Sequence, residues 1–133
     1  MPLIAIVTTL LLLQYFIFGI LVGGARGKTG VAAPAISGHP IFENYFRAHQ
    51  NTMEQLIIVI PALWIFGSYV SELYGAIFGM VFFIGRILYF RGYVQDPKKR
   101  ELGFIIGAVA MGILLIGGLI AAVMAYWQYI QAM

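Results

Sequence analysis

Apolar positions along the chain gather into four long runs, Leu3–Val22, Pro40–Val70, Leu73–Phe90 and Leu102–Tyr129, and polar positions fill the stretches between them. Each run approaches or exceeds the roughly 20 residues a helix needs to cross bilayer hydrocarbon. The pattern predicts an all-α membrane protein, a bundle of four transmembrane helices, with residues 1–133 forming one domain. Leu3–Val22 is too long for the apolar part of a secretory signal and has no Lys or Arg before it, so it reads as a retained helix.

The connections differ in character. Gly23–His39 is rich in Gly, Ala, Ser and Pro and carries Arg26 and Lys28; Ser71–Glu72 is a tight turn; Gly92–Glu101 carries Lys98, Lys99 and Arg100. With four spans, the first and third connections share one side of the membrane, and their Lys and Arg assign that side to the cytoplasm. Both termini then lie opposite, where Tyr126, Trp127 and Tyr129 suit an interfacial aromatic belt. A bacterial inner membrane and an endoplasmic-reticulum type membrane both fit. Small residues spaced by four, Gly75/Gly79, Gly103/Gly107 and Ala108/Gly112, would let helices approach closely, within the bundle or between subunits.

One segment breaks the pattern. "FRAHQNTMEQ", Phe46–Gln55, sets strongly polar residues at the start of the second span. The uninterrupted apolar part of that span, Leu56–Val70, reaches only about 22 Å at about 1.5 Å per residue. A hydrocarbon core of roughly 30 Å therefore draws Asn51, Thr52 and Glu54 to its edge. Arg47, Asn51 and Glu54 recur at i, i+4 and i+7 and share one helical face. In the third span Arg86, Tyr89 and Tyr93 recur at i, i+3 and i+7 at a similar depth, and Arg26 and Arg100 belong to the same side.

Composition sharpens the reading. The chain is 62% hydrophobic and 10% charged, with a mean hydropathy of +0.93. It has no cysteine, so a sulfur nucleophile must come with a ligand, and its two histidines point away from a metal centre. A net charge of +3 without a basic tract points away from nucleic acid. Taken singly, Arg86 could snorkel to lipid phosphates, Arg26 and Arg100 could serve topology, and Glu54 could pair with Arg47 or Arg86. Yet a charge at mid-membrane costs roughly 2.5–3.5 kcal/mol on insertion scales, and one Glu cannot neutralise several arginines. The surplus positive charge asks for an anion.

Guanidinium groups suit carboxylates, Asn51 suits an amide and Glu54 suits an ammonium. A zwitterionic peptide with two carboxylates and one amine fits that set, and glutathione is such a peptide with its own thiol. Ion conduction through Glu54 and Arg86 is disfavoured, because Leu56–Val70 and Leu73–Phe83 hold no continuous polar track.

"FRAHQNTMEQ" followed by "GRILYFRGYVQDPKKRELGF", Gly85–Phe104, resembles the signature of the MAPEG family, the membrane-associated proteins of eicosanoid and glutathione metabolism, and most resembles its microsomal glutathione transferase type 3 branch. The likeness runs through nearly the whole chain. It implies a homotrimer of four-helix subunits that binds glutathione as co-substrate, without a metal, between neighbouring subunits near the cytoplasmic side. By that resemblance Arg26, Arg47, Asn51, Glu54, Arg86, Tyr89 and Tyr93 would contact glutathione, and Arg100 would hold its sulfur as thiolate, a role open also to Tyr93. The second partner would be a lipophilic electrophile or a lipid hydroperoxide, giving glutathione transferase and, by extension, peroxidase activity. Gln55 stands where some relatives place a tyrosine. The alternative is a non-enzymatic lipid-binding scaffold of the same family.

Overall fold

Four helices carry nearly the whole chain in the computed structural model, which describes residues 1–133: α1 (Pro2–Thr29), α2 (Pro40–Tyr69), α3 (Glu72–Gln95) and α4 (Glu101–Gln131). All four are long and apolar enough to cross a membrane. Short polar devices set their ends. Ser71 Oγ accepts from the Tyr74 backbone N–H at 3.2 Å and starts α3, and His39 Nδ1 accepts from Ile41 N at 3.2 Å before Pro40 opens α2.

Two boundaries differ from the sequence expectation. The Gly-rich stretch after Val22 is helical, so Arg26 lies in the last turn of α1 and not in a loop. Helix propensity disfavours Gly by only about 1 kcal/mol, whereas unpaired backbone groups near hydrocarbon cost several, so the helix runs on. It ends at Gly30, whose φ of 77° is the left-handed conformation of a C-cap and whose N–H bonds Arg26 O at 2.9 Å. Likewise α3 continues through Tyr93 to Gln95, and a short 3-10 turn, Pro97–Arg100, leads into α4. Asp96 Oδ1 caps that turn by accepting from Lys98 N at 3.1 Å.

One face of each helix points inward. Ile4, Val7, Leu11, Gln14, Phe18, Val22 and Ala25 are the buried positions of α1, at helical spacing along its length. Ile4, Val7 and Leu11 join one cluster with Leu56, Val59 and Leu63 of α2, Phe82 of α3 and Leu114 of α4, Phe18 joins a second with Ala48, Tyr89 and Phe90, and Val22 and Ala25 a third with Val31 and Phe42. Leu, Ile and Val, with some Phe, Trp and Tyr, dominate the outward faces along the spans, as lipid contact requires.

The small-residue pairs act inside the chain. Gly75 packs against Ile4 and Phe66, and Gly79 against Val7 and Leu63. α3 and α4 touch backbone to backbone: a Cβ on Gly85 would lie 2.8 Å from Gly107 N, and one on Gly103 would collide with the backbone of Tyr89 and Gly85. Gly112 instead has nothing within 4 Å of where a Cβ would stand. Gly103→Ala should therefore force the two helices apart and destabilise the fold by about 1–3 kcal/mol. Gly112→Ala should be neutral. Thermal unfolding of both variants in detergent checks the contrast, and equal melting temperatures would refute it.

Candidate functional site

The i, i+4, i+7 stripe of α2 opens onto a cavity of about 460 Å³. Its lining brings together Arg47, Asn51 and Glu54 from α2, Tyr89 and Tyr93 from α3, and Arg100 from the 3-10 turn. Ile36, Phe46 and Gln50 complete it, and sequence reasoning did not single these out. A second space of about 710 Å³ shares Asn51, Tyr89 and Arg100 and extends past Lys98, Glu101 and Phe104. Arg100 therefore borders both spaces.

Local folding explains Arg100's place. Gly92 sits where a Cβ would strike the Lys99 carbonyl, so the 3-10 turn can fold back onto the end of α3. Arg100 Nη1 then donates to Pro97 O at 3.0 Å, and its guanidinium carbon lies 5.3 Å from the Tyr93 ring centre. The side chain is otherwise exposed, with N–H groups left to bind a ligand.

Arg86 is placed differently from the others. It is 1% exposed, lines neither space, and lies behind Asn51 and Tyr89. Its Nη2 donates to Asn51 Oδ1 at 3.0 Å and to Thr52 Oγ1 at 2.8 Å, while its guanidinium carbon stacks 3.8 Å from the Tyr89 ring centre. Because Arg86 occupies Oδ1, the Asn51 amide keeps its NH₂ for the cavity. Thr52 in turn donates to Ala48 O at 2.9 Å.

No carboxylate balances this buried charge. The chain's one ion pair joins the Met1 amino group to Glu72 at 3.8 Å, far along the chain from the cavity. The pairing of Glu54 with Arg47 or Arg86 weighed from sequence is not formed, so Glu54 and Arg47 are both free to meet a ligand. The cavity thus holds cationic groups in excess, one carboxylate, and amide and phenol donors.

Arg26 stays apart from the cavity of a single chain. Its Nη1 donates to Ala35 O at 2.7 Å and to Val31 O at 3.4 Å, and its guanidinium lies 4.6 Å from the Phe42 ring centre, pinning the loop after α1. Gln55 lines neither space. His49 stacks on Tyr15 at 4.2 Å between ring centres and packs α2 against α1.

Comparison with known proteins bears on the chain as a whole. The model of the MAPEG family matches residues 4–128. The chain is 41% identical over 120 residues to microsomal glutathione S-transferase 2 of Homo sapiens, covering 90% of this chain and 80% of that protein. It is 33% identical over 143 aligned positions to leukotriene C4 synthase of Rattus norvegicus, covering 98% and 95%. An uncharacterised protein of Synechocystis is 41% identical over 127 residues, covering 96% and 90%. The glutathione transferase names among these relatives are of type 2, where the sequence resemblance pointed to type 3.

Proposed function

The chain belongs to the MAPEG family, and from that premise we propose that it is a membrane-bound glutathione transferase that conjugates glutathione to lipophilic electrophiles. The observation that carries this reading is the convergence of Arg47, Asn51, Glu54, Tyr89, Tyr93 and Arg100 on one cavity. Arg47 binds a glutathione carboxylate, Glu54 its ammonium, and the Asn51 amide a peptide carbonyl. Arg86 acts from behind by orienting Asn51 and Tyr89, and its uncompensated charge makes the cavity favourable to an anion.

Arg100 stabilises the thiolate. The thiol proton passes to water, the sulfur attacks an electrophilic carbon, the S–C bond forms, and the electrons of the broken bond leave on a halide or on an epoxide oxygen that takes a proton from water. The protein contributes orientation and preorganised charge. The working unit is a homotrimer of single-domain chains, in which Arg26 of a neighbouring copy completes the site. The C-terminal ends of α1 and α3, with the connections that follow them at 30–39 and 96–100, face the cytoplasm. A hydroperoxide in place of the carbon electrophile would make the same site a peroxidase.

Calorimetric titration of glutathione into purified protein tests the pocket. Arg47→Ala and Glu54→Ala should each raise Kd roughly tenfold or more, the worth of one charge-assisted hydrogen bond. Unchanged affinity in both would remove the assignment. Turnover with an aryl halide and with a lipid hydroperoxide, each with glutathione, separates the two activities.

A further inference from the structure

The segment between α1 and α2 contributes one residue to the cavity of Arg47 and Arg100, Ile36, while every other lining group comes from α2, α3 or the 3-10 turn. Little fastens that residue. Val31 is buried with Val22, Ala25 and Phe42, but Ala32 through Gly38 are all exposed, and within 31–38 the chain makes one hydrogen bond, Ala35 N to Ala32 O at 3.0 Å. Side-chain burial therefore does not hold Ile36 in place.

Arg26 does. Its Nη1 bonds to Ala35 O at 2.7 Å and Val31 O at 3.4 Å are the hydrogen bonds that residues 31–38 receive from outside their own stretch, and both are charge-assisted. Ala35 O and Ile36 N belong to one planar peptide, so the shorter bond fixes the direction in which the chain enters Ile36. The Phe42 ring, 4.6 Å from the guanidinium, backs the grip. Nη1 makes both bonds, which leaves Nη2 and Nε for a ligand of a neighbouring copy.

Ile36 is 59% exposed on a wall shared with Arg47, Glu54 and Arg100. An isoleucine offers a peptide no hydrogen bond. What it offers is apolar surface that a bound peptide covers, and the exclusion of water from the ion pairs beside it, which strengthens them.

We infer that Arg26 is a positioning residue for the cavity of its own chain, acting through the Ala35 carbonyl to set Ile36 against bound glutathione. The inference rests on the glutathione reading of that cavity.

A double-mutant cycle on the full chain in lipid nanodiscs tests it, with glutathione Kd from calorimetric titration. Ile36→Ala should raise Kd about three- to tenfold, the worth of covering part of one isoleucine, and Ile36→Leu should restore most of the affinity. Arg26→Ala should cost at least as much alone but clearly less when Ile36→Ala is already present. Should Arg26→Ala fail to fold, Arg26→Lys, which keeps the charge and loses the planar fork, takes its place in the cycle. The chain has no cysteine, so a nitroxide on Ile36→Cys reports the segment's mobility without glutathione. It should be restricted with Arg26 present and freed by Arg26→Ala. Fold-changes that multiply in full, or a nitroxide equally mobile with and without Arg26, would overturn the inference alone; a native protein that binds no glutathione while the nitroxide stays restricted would remove the glutathione reading and the inference with it.

Discussion

Arg100→Ala should lower turnover at pH 7 by about 10²–10³-fold, the usual cost of removing one preorganised group that meets developing or localised negative charge. The loss has two separable parts. A thiol with a pKa of about 8.5 is only about 3% ionised at pH 7, so losing thiolate stabilisation alone accounts for up to about thirtyfold. That part must shrink as pH rises, because solution chemistry then supplies the thiolate that Arg100 no longer holds. The sign is fixed: a cation beside sulfur depresses the thiol pKa, so the native protein gains most below the free thiol's pKa and nothing well above it. The remaining part, orientation of sulfur toward the electrophile, should be independent of pH. Ultraviolet absorbance of bound thiolate measures the first part directly and turnover measures the sum. A variant that forms as much thiolate as the native protein at pH 7 would transfer the role to Tyr93, whose ring stands 5.3 Å from the Arg100 guanidinium.

The position of Arg100 also shows what a sequence can and cannot disclose. The stripe Arg47, Asn51, Glu54 was legible because helical spacing alone fixes a shared face, and the structure sets all three on one wall. The four spans were legible because the cost of unpaired backbone in lipid leaves few alternatives. The fold-back that brings Arg100 to Tyr93 was not, since it depends on a close backbone approach at Gly92 that no periodicity encodes. The same limit applies to α3 and α4, where Gly103 and Gly107 announced close packing without saying against which helix. Gln14 and Thr52 are a different case. Both lie in register with buried apolar stripes, Gln14 between Leu11 and Phe18 and Thr52 ahead of Leu56, Val59 and Leu63. A polar residue on a core stripe is a signal that a count of apolar residues overlooks.

Thr52 leads to the second large effect, which concerns the residue it supports. Arg86→Met should weaken glutathione binding about tenfold or more while leaving thermal stability unchanged or slightly raised. A buried guanidinium without a carboxylate partner carries a desolvation cost of several kcal/mol, and here only the Asn51 and Thr52 oxygens and the Tyr89 ring offset it. Arg86 Nε has no partner at all. Methionine fills much of the same volume and removes that cost. The groups left behind are cheap to satisfy: Thr52 keeps its bond to Ala48 O at 2.9 Å, and half-buried Asn51 can draw water from the cavity. Binding has no such compensation. Without Arg86 the Asn51 amide can rotate, so its NH₂ no longer points reliably into the cavity, and the cavity loses the charge that favours an anion. Arg86 therefore serves the ligand and not the fold if binding falls while stability holds. Thermal unfolding and calorimetric titration of the same preparation decide the matter. A melting temperature that collapses while glutathione affinity holds would show Arg86 to be a structural strut and nothing more.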